Sequence, residues 1–143
     1  MPYTSCYWTN NASVSINKSI AIPTDTITIS WSGAQAGTAN PIKGFEVYYS
    51  LNGGTSWNTV SKSVSKTATY TTMAVPTNRG STISAKVVII NTENFTNPSK
   101  TGGSCKINRL PSAPTNLTTS KTIIPSTQTT VSFTMTEGSD ADG

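Results

Sequence analysis

Histidine is missing altogether from this chain of 143 residues, which removes the commonest general base and the commonest protein metal ligand. Cysteine is nearly as scarce. Cys6 and Cys105 cannot make a zinc site by themselves, and a disulfide between them needs an oxidising compartment, so two free and partly buried thiols are expected. The acidic residues are Asp25, Glu46, Glu93, Glu137, Asp140 and Asp142. A glycosidase needs two carboxylates held across a substrate cleft, and only Asp25 and Glu46 fall on strand-like segments of the first part of the chain. No catalytic set can be assembled and no cofactor is implied, so an enzyme is not expected.

Other absences narrow the field further. No apolar run approaches the length of a membrane span. The opening MPYTSCYWTN has neither the basic nor the apolar region of a secretory signal. Leu and Glu are sparse, and no stretch carries apolar residues at the helical period. The formal charge is +4, but the basic residues (Lys18, Lys43, Lys62 and Lys66 among them) are scattered. A nucleic-acid groove needs a basic stripe with interleaved aromatics, so these charges read as solvated surface and no nucleic acid is expected.

What the chain does have is Ser and Thr, about a third of its residues, and Thr suits the solvent face of a strand. From Ala12 onward the pattern is strand-like. Val14 and Ile16 alternate with Ser13 and Ser15. In DTITISWSG, Ile27, Ile29 and Trp31 share one face, with Pro23 and Gly33 bounding the run. KGFEVYYSLNGGTSWNTV predicts a hairpin, with Phe45, Val47 and Tyr49 on one face and Glu46, Tyr48 and Ser50 on the other. Asn52, Gly53 and Gly54 supply turn positions that tolerate positive φ. TATYTTMAV is a weaker strand, and STISAKVVII a strongly apolar one led by Ile83, Ala85, Val87 and Ile89. NTENFTNPSKTGGS then reads as a long loop before a short last strand, SCKIN. Some seven strands with turn signals every 8–14 positions fit an antiparallel sandwich.

After NRLPSAP the pattern begins again. IPTDTITISW (22–31) aligns with IPSTQTTVSF (124–133), pairing Ile29 with Val131 and Trp31 with Phe133, while Val14 and Lys18 match Leu117 and Lys121. A period near 100 residues indicates repeated domains, because solenoid repeats run to about 50 residues at most. The second copy holds only two strands before DADG, too few to bury a core, so residues 1–143 are expected to be the N-terminal piece of a longer protein.

The Ile29-x-Trp31 strand, GFEVYYS (44–50), KVVIIN (86–91) and the PSAP linker (111–114) resemble fibronectin type III modules. The resemblance implies a seven-stranded antiparallel immunoglobulin-like sandwich over residues 12–108. It also implies a linker at 109–114 and an incomplete second module at 115–143, with an aromatic segment at 1–11 outside the pattern. The tyrosine usual at the start of the sixth strand has no counterpart in GSTISAK (80–86). SLNGGTSW (50–57) also resembles the aspartate-box hairpin, a turn device in which a Trp packs under the loop, with Asn52 and Ser56 as departures. GTANPIKGFEVYYSLNGGTSW is similar in style to modules of phage tail, fibre and head-surface proteins.

That likeness implies a non-catalytic structural, decoration or fibre protein of a virion. Its partners would be other virion proteins and host-surface glycans, it would be displayed in many copies, and lysis would release it. The alternative is an accessory or carbohydrate-binding module of a secreted bacterial polysaccharide-active protein.

Site candidates divide by position. Trp31, Phe45, Tyr49 and Phe133 are expected in the core. Tyr48 and Trp57 are candidates for a sugar-stacking surface. Tyr3, Tyr7 and Trp8 either fold back on their own sandwich or dock on a partner, since an uncovered aromatic segment exposes apolar surface. Glu137, Asp140 and Asp142 read as a solvated loop rather than a calcium site.

Overall fold

The computed structural model describes residues 4–91, 97–120, 127 and 130–140. They fall into two compact units, Met1–Asn108 and Arg109–Gly143. Among the described residues there is no helix, and the protein is all-β.

Among its described residues the first unit has eight strands, β1 (Tyr7–Ile16), β2 (Ile20–Ala21), β3 (Thr26–Gln35), β4 (Gly44–Ser50), β5 (Asn58–Ser65), β6 (Tyr70–Ala74), β7 (Thr82–Ile90) and β8 (Ser99–Ile107). A small sheet has the order β1-β3-β6 and a large one β2-β8-β7-β4-β5. Every pairing is antiparallel except the short parallel contact of Ile20 with Lys106 and Ala21 with Ile107.

Alternation decides which faces meet. On β3, Ile27, Ile29 and Trp31 point inward, and on β7, Ile83, Ala85, Val87 and Ile89 do the same; all are buried. Side chains alternate across a strand, so the intervening Thr, Ser and Lys face out. The two inner faces pack together in a sandwich-like arrangement. One core cluster joins Cys6, Val14, Ile29 and Trp31 to Phe45, Val47, Val87 and Ile89; the other gathers Ala21, Ile27, Val75, Ile83, Cys105 and Ile107. Trp31 and Phe45 meet across the sheets with ring centroids 5.2 Å apart, within the range that favours aromatic pairs. Each buried Ile or Val contributes about 1.5–3 kcal/mol relative to exposure.

Three differences from the sequence reading have physical causes. β1 starts at Tyr7 rather than after residue 11. It pairs Tyr7 with Gln35 and Trp8 with Ala34, then resumes at Ser13 opposite Ser32, so Thr9 to Ala12 face Gly33 alone. That bulge resets the alternation and hides the first half of the strand. β2 adds an eighth strand too short to carry a period. β8 begins at Ser99 and runs through Gly102 and Gly103, which look like loop residues but sit where β1 comes close. A Cβ on Gly102 would lie 2.4 Å from the Val14 carbonyl oxygen, and one on Gly103 2.7 Å from Ile16 Cγ1.

The second unit contains an antiparallel pair, β9 (Thr115–Thr119) and β10 (Phe133–Thr136), with Phe133 opposite Thr119. Leu117 and Phe133, aligned in sequence with Val14 and Trp31, again lie on two antiparallel partners. Phe133 is nevertheless 70% exposed, against 5% for Trp31. The expected core position lacks a core because no second layer packs on it among the described residues. Ile124 and Pro125 of the repeat lie outside those residues.

Candidate functional site

The outer face of the large sheet carries a row of side chains. Register places Thr59 of β5 opposite Tyr48 of β4, Tyr48 opposite Lys86 of β7, and Lys86 opposite Thr101 of β8. Trp57 reaches this row from the turn that precedes β5.

That turn is built by Ser50 and Asn52. Ser50 Oγ donates to Asn52 Oδ1 at 2.8 Å and accepts from the Gly54 backbone N–H at 2.8 Å. Asn52 Oδ1 also accepts from the Ser56 N–H, and its Nδ2 donates to Ser56 Oγ, both at 2.9 Å. Gly53 and Gly54 have φ of 68° and 91°, as the turn requires. The Trp57 ring lies against Gly54, 3.2 Å from where a Cβ there would stand.

Lys86 ties the face together. Its ammonium lies 4.4 Å from the Trp57 ring centroid and 5.0 Å from that of Tyr48, close enough for both rings to attract it. The Tyr48 hydroxyl donates to Glu46 Oε2. That bond, with burial and the Glu46 charge adding to it, pushes the Tyr48 phenol above its ordinary value. Lys18 and Asp25 form an ion pair at 2.9 Å, whereas Lys86 forms none with a described carboxylate. Beside the row is an open depression of about 230 Å³, lined by Trp57, Ser84, Thr101 and four glycines. Such a surface offers an aromatic wall, hydroxyls and a cation, and it contains no nucleophile–base pair.

The N-terminal candidates part company. Tyr3 lies outside the described residues. Tyr7 is 52% exposed on β1. Trp8 is half-buried against the core, and its Nε1 donates to the Pro98 carbonyl oxygen at 3.2 Å. Just before them, Cys6 is buried, its N–H donating to Asn91 Oδ1 at 2.7 Å and its thiol to the Asn40 carbonyl oxygen at 3.3 Å. This stretch therefore folds back on its own unit, and Tyr7 alone of the described pair faces solvent. Tyr48 and Trp57 belong to the other sheet and are brought together, with Lys86 between them. Sequence reading missed Lys86, counting it among scattered charges; the alternation of β7 puts it outward, but only strand register puts it beside Tyr48.

Both cysteines are free thiols, and they are fully rather than partly buried. Among the described residues no group of His, Cys, Asp and Glu side chains is placed to hold a metal ion; Asp142 lies outside them. No helix there is long and apolar enough to cross a membrane. No protein-family model matches the chain, and no curated protein matches it either.

Proposed function

We propose that this chain is a non-catalytic structural protein of a virus particle, a decoration or fibre component built from fibronectin type III-like modules. The observation that carries the reading is the strand layout. β1, β3 and β6 face β8, β7, β4 and β5 across the two core clusters, an arrangement in keeping with immunoglobulin-like sandwiches. The repeat of the β1–β3 pairing at β9–β10 supports a tandem array of such modules, with residues 109–114 as the linker. Short linkers between sandwiches make stiff spacers, and many copies on a particle multiply weak surface contacts. The phage-like style of residues 37–57 supports the particle setting. Its partners are then neighbouring virion proteins and host-surface glycans, with Tyr3 and Tyr7 as the docking aromatics.

A second reading, an accessory binding module of a secreted polysaccharide-active protein, is favoured by the aromatic depression at Trp57. Antibody raised against the purified chain separates the two. Labelling of gradient-purified particles from the source culture is expected. Antigen confined to the soluble fraction, co-purifying with hydrolase activity, would overturn the virion reading.

A further inference from the structure

We infer that the outer face around Trp57, Lys86 and Tyr48 is a binding site for a carboxylate-bearing sugar residue, such as a uronic acid within a surface polysaccharide. The inference deepens the adhesive part of the proposed function and rests on it.

The first observation is the cation. Lys86 is half-buried between two rings and makes no ion pair among the described residues. Aromatic faces attract an ammonium but do not neutralise it, so its charge stays available to an incoming anion. Glu46 accepts the Tyr48 hydroxyl and makes no ion pair with Lys86. A ligand carboxylate would meet the Lys86 ammonium in a charge-assisted hydrogen bond, stronger than a neutral one.

The second observation is the shape beside the cation. Gly53, Gly54, Gly102 and Gly103 line the depression with backbone alone, and Trp57 stands as its one large apolar side. An indole edge or face packs against the C–H surface of a pyranose, while Ser84 and Thr101 offer hydroxyls that both donate and accept. At about 230 Å³ the depression is smaller than the ~300–1,000 Å³ clefts that enclose drug-sized ligands, and its openness suits one ring of a longer polymer. A neutral sugar would use the wall and hydroxyls but leave the ammonium without a counter-ion. An acidic peptide would use the ammonium but leave the wall idle. An acidic sugar uses both.

The test is an ¹⁵N-resolved NMR titration of the chain with three probes. They are a tetrasaccharide alternating glucuronic acid and N-acetylglucosamine, neutral chitotetraose, and a tetraglutamate peptide. The acidic tetrasaccharide is expected to shift the Trp57 indole N–H and the amides of Gly102 and Gly103, with the effect weakening as salt rises. Lys86→Gln should weaken binding about tenfold, as loss of one charge-assisted bond implies, and Trp57→Ala should abolish it. Both variants must keep the wild-type dispersion of amide shifts, which separates a lost site from a lost fold; Trp57→Phe serves if Trp57→Ala unfolds. The inference is overturned by no shift with the acidic sugar, by equal shifts with chitotetraose or tetraglutamate, or by unchanged affinity in Lys86→Gln. Particle labelling by antibody is independent of all three results, so the site can fail while the virion reading stands, and the reverse.

Discussion

The side-chain oxygen of Asn91 accepts the backbone N–H of Cys6 at 2.7 Å, joining the entry to β1 with the residue that follows β7. The same oxygen accepts from Asn40 Nδ2 at 3.0 Å, and both asparagines are buried. Replacing Asn91 by Ala takes this acceptor from the buried Cys6 N–H, at a cost of about 1–3 kcal/mol, and removes one of the bonds of Asn40 Nδ2, which also donates to the Thr4 carbonyl oxygen. Asn91→Ala is therefore expected to lower unfolding stability by about 2 kcal/mol, read as the shift in a urea midpoint. A loss below about 1 kcal/mol would show that the network contributes little.

Trp8 and Tyr7 are adjacent on β1 but face opposite ways, and their variants should differ accordingly. Trp8→Ala removes a half-buried indole and its bond to Pro98, and should cost about 2 kcal/mol, below the ~3–5 kcal/mol typical of fully buried aromatics. Tyr7→Ala, at an exposed position, should stay within about 0.5 kcal/mol of wild type. On the proposed virion reading, a loss of particle association in Tyr7→Ala reflects docking and not folding.

The two thiols should be silent in the native protein. Both are buried, and burial pushes the Cys105 thiol above its ordinary value, which keeps it from ionising to the reactive thiolate. Ellman's reagent is expected to find neither in buffer and both in urea. Rapid native labelling of Cys105 would contradict the packing of the second core cluster.

Acid should erode stability through Asp25. The hydrogen bond from Lys18 holds its carboxyl below the ordinary range, and the Lys18 charge adds to the effect. A carboxyl lowered on folding stabilises the native state while it is ionised. That contribution is present above the unfolded value and is lost as pH falls below it, through the depressed folded one. Asp25→Asn should flatten this part of the acid limb in a series of melting temperatures, with little change at neutral pH and high salt, where the exposed pair is screened.

Where alternation runs unbroken, the chain could be read directly. Ile27-x-Ile29-x-Trp31 and Ile83-x-Ala85-x-Val87-x-Ile89 announce β3 and β7 and their inward faces. The reading failed where neighbours distant in sequence decide. The bulge at Thr9 to Ala12 is set by Gly33, and the strand status of Gly102 and Gly103 depends on the approach of β1. Tyr48 and Trp57 were legible as surface aromatics. Lys86 was not, because its place between them arises from pairing β4 with β7, a register no local pattern carries. Phe133 repeats the chemistry of Trp31 without its surroundings.

The brief parallel contact between β2 and β8 has a mechanical meaning. The Lys106 N–H reaches the Ser19 carbonyl oxygen at 2.7 Å and the Asn108 N–H that of Ala21 at 2.9 Å, so the segment that follows β1 runs beside the last strand of the first unit in the same direction. Tension on the outgoing chain along β8 meets these bonds in shear, loading them together instead of peeling them one after another. The place where the chain leaves the first unit is thereby clamped to a segment held inside the same fold.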